Sequence, residues 1–420
     1  MTMEKGSAFE WWMISNLAFG AGFSAFISLL IPPYVTGVTG NSADAGIVMA
    51  IISLAAVLGP VLGGFADKYR AHRVVLTLGV VGMAFGFLMY SISAEAQALL
   101  ALDAIALGVS IAAINAVGPV FIVGAGLSRS LQAKRLTVFN LLAPIGQVIG
   151  GALMAVAVTS GLGFSERFLI AAGVMVLASI VTWFSSANPA KRIILEENKP
   201  EEHHEKKKRS FSIKRILFST FGMFLIILVL SSLGNNGINA QIANILPNVY
   251  GIEQATTSAL ISAAGLLNIV FFLIAGAWMA RSGALPGFTA GNIMRLVGSS
   301  GMAVLGLITG SPVLLVAGFV LLFYQGNPFV RLAQPVLAIR FSSISPGQAT
   351  GWVIAAAASG SFLGSLIGGF LADSVGYNAI NWMATISIGL SVLLIFVVLW
   401  TAERKKRAQE KQQKQFTTKV

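Results

Sequence analysis

Long hydrophobic runs recur along the chain and are separated by short polar segments. Each run is about 17 to 30 residues long, and a helix needs about 20 residues to cross the hydrocarbon core of a bilayer. The pattern therefore predicts twelve transmembrane helices, at 9–35, 45–66, 74–91, 98–120, 136–158, 168–184, 216–246, 259–280, 291–309, 313–339, 351–371 and 380–399.

One hydrophobic pattern occurs twice. The sequence Gly-Gln-Val-Ile-Gly-Gly-Ala-Leu at 146–153 returns as Gly-Ser-Leu-Ile-Gly-Gly-Phe-Leu at 364–371, inside the fifth and eleventh runs. A second pair of related segments, 31–35 and 245–249, has nearly the same separation. Duplicated halves that enclose a central site are common in secondary transporters. The repeat predicts an all-α integral membrane protein built from two pseudo-symmetric six-helix bundles.

A charged segment interrupts the hydrophobic pattern between the sixth and seventh runs. It mixes acidic pairs with a basic cluster at 206–209, a composition typical of a solvated tether. Contact between the basic cluster and anionic lipid is the alternative. The predicted organisation is an N-terminal bundle, a cytoplasmic linker, a C-terminal bundle and a basic cytoplasmic tail, at 1–184, 185–214, 215–402 and 403–420.

The composition excludes a soluble globular fold. Hydrophobic residues make up 56% of the chain and charged residues 10%, and the mean hydropathy is +0.81, whereas soluble proteins carry about 25% charged residues. The net charge is +12, but the Lys and Arg residues of the loops cluster on one side of the predicted bundles, and only Arg167 falls on the other side. By the positive-inside rule, both termini lie in the cytoplasm. The charge thus reflects membrane topology, and no nucleic-acid partner is expected.

Several classes of site have no support in the sequence. The chain contains no Cys, and its three His lie in predicted loops, so no metal site is predicted inside the membrane. No Gly-rich loop ends in Lys-Ser or Lys-Thr, so ATP is not the expected energy source. A nucleophile, a base and an orienting group cannot be assembled from the motifs. The chain is therefore not predicted to be an enzyme, and no cofactor is predicted.

The loop after the second run carries a motif of glycine, acidic and basic residues. It reads Gly-Gly-Phe-Ala-Asp-Lys-Tyr-Arg-Ala-His-Arg at 63–73. Together with twelve spans and a repeat of six helices, this segment resembles the signature Gly-x-Leu-Ala-Asp-Arg-x-Gly-Arg-Arg of the major facilitator superfamily. Gly63, Asp67, Lys68 and Arg73 match the signature, whereas its second glycine is missing. The resemblance covers the whole chain.

The resemblance implies that Gly63, Asp67, Lys68 and Arg73 form a gate. In this family-based interpretation, Asp67 meets the start of the eleventh helix, near Pro346, only when the cytoplasmic side is closed. The contact would be favourable because an anionic side chain stabilises a helix N-terminus. The alternative is that these charges only set topology and solubility. The resemblance further implies alternating access by a rocker switch, with helices one, four, seven and ten lining the path.

The segment 146–151 resembles a second motif, found in the fifth helix of the family's antiporters, with Gln147 where proline is usual. Glycines at four-residue spacing are first of all surfaces on which helices pack closely. Close packing is therefore the prediction for this motif.

Charged side chains within the predicted helices are candidates for function. An ionised group costs at least about 2.5 kcal/mol at a helix centre and usually faces a cavity. The helical rise places Asp103 in the outer third of the membrane and Arg331 in the inner third. Asp103 is predicted to couple transport to an ion and Arg331 to bind substrate. Snorkelling to an interface is the alternative for both, and it is the prediction for Arg295.

Side-chain amides are concentrated in the seventh run. Ser231, Asn235 and Asn239 follow at four-residue spacing and share a helical face, with Asn236 beside them. The matching positions of the first run are Ala and Gly, which predicts a cavity with space from the first half and hydrogen bonds from the second. The alternative is that the asparagines join helices. The predicted substrate-binding residues are Asn16, Asn115, Asn235, Asn236, Asn239, Tyr324, Gln325, Asn327 and Arg331.

These features predict a secondary active transporter for a small organic solute that is polar and neutral or weakly anionic. Protons are the predicted coupling ion, because the family commonly uses them and Asp103 or Asp67 could titrate; facilitated diffusion stays open. One alternative is an exporter of multidrug or lipid-like substrates, and another is a non-transporting membrane sensor or assembly factor. The protein is predicted to work as a monomer in the lipid bilayer of the bacterial inner (plasma) membrane.

Overall fold

The computed structural model describes residues 7–92, 97–193, 219–342, 344, 346–406 and 408. Every regular element in these ranges is helical. The long helices are α1 Trp11–Thr39, α2 Ser42–Lys68, α3 His72–Ile92, α4 Gln97–Val117, α5 Arg129–Thr159, α6 Phe164–Ser185, α7 Thr220–Tyr250, α8 Gln254–Ser282, α9 Ala284–Leu305, α10 Val313–Phe341, α11 Pro346–Ser374 and α12 Asn378–Lys406. Most of the predicted linker and most of the predicted tail lie outside the described residues.

The helices agree with the predicted spans. Among the described residues, 11 helices are long and apolar enough to cross a membrane. The remaining long helix, α9, has 22 residues, but Asn292 and Arg295 lower its hydropathy. It packs against α10 and α12 and completes the predicted set of twelve. It begins before the predicted start at 291 because its first two turns, from Ala284, are largely apolar.

The helices form two bundles of six that pack alike. In the first bundle α1 packs on α5 and α3 on α6, and in the second α7 packs on α11 and α9 on α12. Between the bundles α2 packs on α11 and α5 packs on α8, two contacts that a twofold axis would exchange. The predicted architecture of two pseudo-symmetric bundles is therefore confirmed.

The duplicated glycine motif makes equivalent contacts in both bundles. The first glycine of each copy, Gly146 or Gly364, lies against the backbone of α1 or α7, where a Cβ would overlap. The last glycine of each copy faces the other bundle. Gly151 lies against α8, and Gly369 lies against Gly46 of α2. The motif thus packs helices within and between the bundles, as predicted.

The two ends of the molecule differ in their charges. We call the end where α1 begins and α12 ends the terminal face, and the other end the opposite face. At the terminal face, Glu10 accepts hydrogen bonds from Trp12 Nε1 at 2.7 Å and Arg192 Nη1 at 2.6 Å, and pairs with Arg135 Nη2 at 2.8 Å. Burial alone would raise the pKa of Glu10, but the hydrogen bonds from Arg192 and Trp12 and the charges of both arginines outweigh it, so the pKa lies below its ordinary value. These contacts indicate that Glu10 is structural.

A cavity between the bundles

A cavity of about 770 Å³ lies between the two bundles and is lined by residues of both. This volume is within the range of sites that bind small molecules. One end of the cavity reaches Ser28 of α1 and Asn239 of α7, in the middle of the molecule. The other end reaches Asp67 of α2 and Gln334 of α10, near the terminal face. The cavity therefore opens toward the terminal face.

Contacts between the bundles seal the opposite face. The hydroxyls of Ser42, at the start of α2, and Tyr377, just before α12, share a hydrogen bond of 2.7 Å. Arg167 of α6 donates from Nη1 to Oε1 of Gln254 of α8 at 3.0 Å. The close approach of α2 and α11 described above lies at the same end. Together these contacts block access from this side.

At the terminal face the same two helices, α2 and α11, are apart. A Cβ on Gly64 of α2 or on Gly351 of α11 would meet nothing within 4 Å. Asp67 bonds through Oδ1 to Nε2 of His72 at 2.8 Å, and its side chain is 57% exposed. His72, predicted to lie in a loop, is the buried first residue of α3. The structure is therefore a state open to the terminal face, and the contact of Asp67 with the start of α11 stays a prediction for the closed state.

The other predicted gating residues divide between the cavity and the surface. Gly63 lines the cavity beside Asp67. Lys68 lies over the ring of Tyr69, 5.1 Å from its centroid. Arg73 stacks on Trp183 at 3.8 Å and donates two hydrogen bonds, of 3.1 and 2.9 Å, to its carbonyl. Arg73 thus joins α3 to α6, and a part in gating stays a prediction for it and for Lys68.

Most of the predicted substrate-binding residues line the cavity: Asn115, Asn235, Asn236, Asn239, Tyr324, Asn327 and Arg331. The amides of α7 differ in their partners. Asn236 donates from Nδ2 to Oγ of Ser53 at 3.2 Å and to Oγ of Ser365 at 2.7 Å, which links α7 to both α2 and α11. In the described structure, the buried Oδ1 of Asn235 has no hydrogen-bond partner. The amide nitrogen of Asn236 therefore joins helices, whereas the amide oxygen of Asn235 is without a hydrogen bond in the described structure.

Two predicted binding residues lie outside the cavity. Asn16 donates from Nδ2 to the carbonyl of Phe139 at 2.5 Å, and Gln325 donates from Nε2 to that of Leu321 at 3.2 Å. Both side chains are buried among helices. Neither residue lines the cavity of this state: the amide nitrogen of Asn16 is held by a carbonyl of α5, and that of Gln325 by a carbonyl one turn earlier in α10.

Asp103 also lies away from the cavity. Its side chain is buried in the first bundle, close to Tyr34 near the end of α1 and to Tyr90 near the end of α3. Both tyrosines belong to the half of the bundle nearer the opposite face. The predicted coupling role of Asp103 stays a prediction.

The structure brings Arg295 of α9 to the cavity. The prediction that it snorkels to the interface is wrong, because the residue is 5% exposed and lines the cavity. It donates from Nη1 to Oγ of Ser231 at 3.0 Å and from Nη2 to Oδ1 of Asn327 at 2.5 Å. The side chain fits because Gly326 of α10 has no Cβ; one placed there would overlap the carbonyl of Gly291 and the Cγ of Arg295.

Two further amides line the cavity without having been predicted to bind substrate. Gln147, which stands in place of proline in the glycine motif, donates from Nε2 to the carbonyl of Ile261 at 3.1 Å and so links α5 to α8. Asn268 of α8 has a buried Oδ1 without a hydrogen-bond partner in the described structure. Two residues that line the cavity, Asn235 and Asn268, thus each have a buried amide oxygen without a hydrogen-bond partner in the described structure.

Comparison with known proteins agrees with this geometry. The sequence profile of the Major Facilitator Superfamily matches residues 12–326 and 224–420. The crystal structures of nucleoside transporter NupG and of a point mutant of it each have a TM-score of 0.69 and 14% sequence identity to this chain. The match covers 93% of this chain in both cases, 97% of the NupG chain and 98% of the mutant chain. No curated protein is significantly similar in sequence. At this identity, the likeness to NupG is one of fold.

Proposed function

The chain belongs to the major facilitator superfamily, and on that premise we propose that it moves a small polar organic solute across the membrane by alternating access. It is a multi-pass integral membrane protein and a transporter rather than an enzyme. The family and the fold support secondary transport. The solute, the coupling ion and the orientation are the parts that we propose.

The observation that carries the proposal is a central cavity that is open at one face and sealed at the other. In a rocker switch, helices of the two bundles touch at one face in one state and at the other face in the other state. Such helices need closely fitting surfaces at both of their ends. Gly46 and Gly369 supply such a surface at the sealed end of α2 and α11, where their backbones touch. Gly64 and Gly351 supply unobstructed small surfaces on the same helices at the open end. Rocking one bundle against the other would exchange the two contacts.

The lining of the cavity supports a polar solute. A buried acceptor that lacks a donor costs about 1–3 kcal/mol, and the amide oxygens of Asn235 and Asn268 are such acceptors. Rotation of either amide toward the cavity would let a hydroxyl or amino group of a solute donate to its oxygen. An exporter of multidrug or lipid-like substrates would instead present a mainly aromatic and apolar wall. NupG, which shares the fold, is a nucleoside transporter, and nucleosides are therefore among the solutes to test.

We propose protons as the coupling ion, with Asp103 as the first candidate and Asp67 as the second. Buried carboxyl groups within the membrane are typical of proton relays, and Asp103 is buried there. We expect an imposed pH gradient to change the rate of uptake by the parent protein and not by Asp103→Asn. If the rate of uptake by the parent does not depend on the pH gradient, facilitated diffusion is indicated instead.

We propose that both termini lie in the cytoplasm of a bacterium, with the protein in the inner membrane. Basic residues near the terminal face include Lys68, Arg73, Arg135, Arg192, Arg281, Arg340 and Arg404, whereas Arg167 lies in the first turn of α6 at the opposite face. This excess fits the positive-inside rule. The cavity would then open to the cytoplasm, and because one chain encloses it, a monomer suffices. Protease added outside intact cells should spare the linker, whereas protease added to inside-out vesicles should cut it.

Purified protein in proteoliposomes tests the proposal with a panel of polar solutes that includes nucleosides. We expect saturable uptake of at least one solute, and a loss of about tenfold in Asn235→Ala, since one or two hydrogen bonds are each worth about 1 kcal/mol. Asn248→Ala is the matched control, because Asn248 is exposed on α7 outside the cavity. Binding without uptake would indicate a sensor and overturn the proposal. Equal uptake by the two variants would place the site elsewhere.

A further inference from the structure

The cavity is positively charged at depth. Among the described residues that line it, the charged side chains are Asp67, Arg295 and Arg331. Asp67 lies at the mouth and is bonded to His72. Arg331 lies about 15 Å from the end of α10 at the terminal face, counted along the helix. Arg295 lies about 17 Å from the start of α9 at the same face. Both arginines therefore lie between the mouth and the inner end of the cavity, and no carboxylate among the described lining residues lies beside them.

Arg331 has no partner within the described part of the chain. It lies within the membrane-spanning part of α10, and its side chain is exposed to the cavity. None of the described residues forms a hydrogen bond or an ion pair with it. Charged groups at membrane depth are costly; they face a cavity or pair with another group, and they mark the paths of substrates or ions. A solute is the available source of the missing counter-charge.

Arg295 adds a second charge whose partners are all neutral. The hydroxyl of Ser231 and the amide oxygen of Asn327 accept its hydrogen bonds but do not neutralise it, and its buried Nε is unpartnered in the described structure. Arg331 is near enough to act on it electrostatically. Asn327 precedes Arg331 by one helical turn, which brings the two guanidinium groups to the same stretch of α10. Two like charges repel each other, and an anion between them would offset that repulsion.

We propose that Arg295 and Arg331 hold an oxyanion, either a carboxylate or a phosphate, of an organic solute, while Asn235 and Asn268 accept hydrogen bonds from its hydroxyl or amino groups. Guanidinium groups suit this role because their planar donors bind carboxylate and phosphate in pairs. A cavity lined by one sign of charge also raises the local concentration of the opposite ion. The inference rests on the proposed function and adds to it the chemical class of the solute.

A purely structural role for the arginines makes a different prediction. The bonds of Arg295 to Ser231 and Asn327 also join α9 to α7 and α10. If the arginines only hold helices together, their removal lowers stability but leaves the relative affinities of charged and neutral solutes unchanged. Discrimination between matched solutes therefore separates the two roles.

The experiment compares solutes that differ in charge and little else. Full-length protein in lipid nanodiscs is titrated, at constant ionic strength, with glucose, glucuronate and glucose 6-phosphate, and with uridine and uridine 5′-monophosphate. Affinity is read from thermal stabilisation and by isothermal calorimetry. We expect a charged member of at least one set to bind ten or more times more tightly than its neutral counterpart. A preference for glucuronate assigns a carboxylate, and a preference for a phosphate ester assigns a phosphate.

Variants then locate the charge that discriminates. Arg331→Gln faces the cavity and should fold, and we expect it to lose the preference for the charged member at least tenfold, with partial recovery in Arg331→Lys. Arg295→Gln should behave as Arg331→Gln does. The control is Arg281→Gln, because Arg281 is an exposed cation in the last turn of α8 and does not line the cavity.

The outcomes separate this inference from the proposed function. If no charged member binds more tightly than its neutral counterpart, or if Arg331→Gln keeps the preference, the inference is overturned, even where neutral solutes are transported. If charged solutes bind through the arginines but no solute crosses the membrane of proteoliposomes, the anion site stands and the transport proposal fails.

Discussion

At Gly326 the backbones of α9 and α10 come so close that the position of Arg295 depends on the missing side chain. We expect Gly326→Ala to push the helices apart and move the guanidinium group, at a cost of about 1–3 kcal/mol for overpacking. Thermal unfolding of the purified protein measures the loss, and any preference for anionic solutes should fall with it.

Gly318→Ala is the control for this substitution. A Cβ on Gly318, on the same helix, would meet nothing within 4 Å, so alanine adds no clash there and favours the helix by about 0.5–1 kcal/mol. If the two variants unfold at the same temperature, the close approach at Gly326 is not what positions Arg295.

Glu10 gives the terminal face a pH-dependent contribution to stability. Its pKa is below the ordinary value because hydrogen bonds from Arg192 and Trp12 and the charges of Arg135 and Arg192 outweigh the effect of burial. A lowered pKa means that the ionised group stabilises the folded state above its ordinary pKa of about 4.3, and that this contribution is lost as the pH falls through the lowered value. We expect the parent to exceed Glu10→Gln in unfolding temperature at pH 7 and the gap to narrow in acid.

Glu253→Gln serves as the control for the pH series, because Glu253 is exposed before α8 and makes no side-chain capping bond. Its unfolding temperature should follow that of the parent across the series. If the difference in unfolding temperature between the parent and Glu10→Gln widens on acidification, ionised Glu10 is not the stabilising group.

Some individual residues of the site could be predicted from the sequence. The four-residue spacing of Asn235 and Asn239 predicted that both face one cavity, and both line it. Arg295 was missed because the helix that carries it is peripheral in the family that the chain resembles. The spacing of Asn292, Arg295 and Ser299 places them on one helical face, and this polar stripe was the available sign that the face is buried. Only coordinates show that Gly326 leaves room for the side chain.

Among the elements, α2 and α11 carry the proposed switch. They touch at Gly46 and Gly369 near the opposite face, and in the proposed closed state they would instead meet at Gly64 and Gly351 near the terminal face. We expect Gly46→Val to destabilise the observed state, because its Cβ would overlap the backbone of Gly369, and so to favour the state open to the opposite face. Accessibility of a cysteine introduced at Asn115 measures the shift, since the chain has no other cysteine.

Gly351→Val should act in the opposite sense. No atom lies near its Cβ in the observed state, so stability and binding from the terminal side should be kept, while closure of this face and uptake are blocked. Gly276→Val, on an open stretch of α8 outside the cavity, should leave both uptake and accessibility near those of the parent. Normal uptake by Gly351→Val would show that α2 and α11 do not close against each other there.

The elements themselves were predictable because a bilayer demands about 20 apolar residues in each span. The predicted starts were least accurate in α5, which begins at Arg129 instead of 136, and in α9, which begins at Ala284 instead of 291. The early turns of α5 carry Arg129, Lys134 and Arg135, and those of α9 include Pro286 and Gly287, so a continuous apolar run does not extend over them. Hydropathy therefore locates the apolar part of a helix and misses polar or irregular turns that extend it.

For the molecule as a whole, the duplicated sequence predicted two bundles and a cavity between them, and the structure has both. It did not predict which face is open. The two states of one transporter share the same sequence and differ in free energy by only a few kcal/mol. The sequence pattern alone therefore does not predict which state the structure adopts. The contacts of Ser42 with Tyr377 and of Arg167 with Gln254 identify the sealed face.

Distances across the two faces test alternating access most directly. Because the chain has no cysteine, spin labels can be placed on Tyr69→Cys with Gln348→Cys across the terminal face, and on Ser160→Cys with Glu253→Cys across the opposite face. In the parent background we expect a long distance between the two labels at the terminal face and a short distance between the two labels at the opposite face. In Gly46→Val the distance at the terminal face should shorten and the distance at the opposite face should lengthen. Distances that change in the same direction, or that do not respond, would contradict the account.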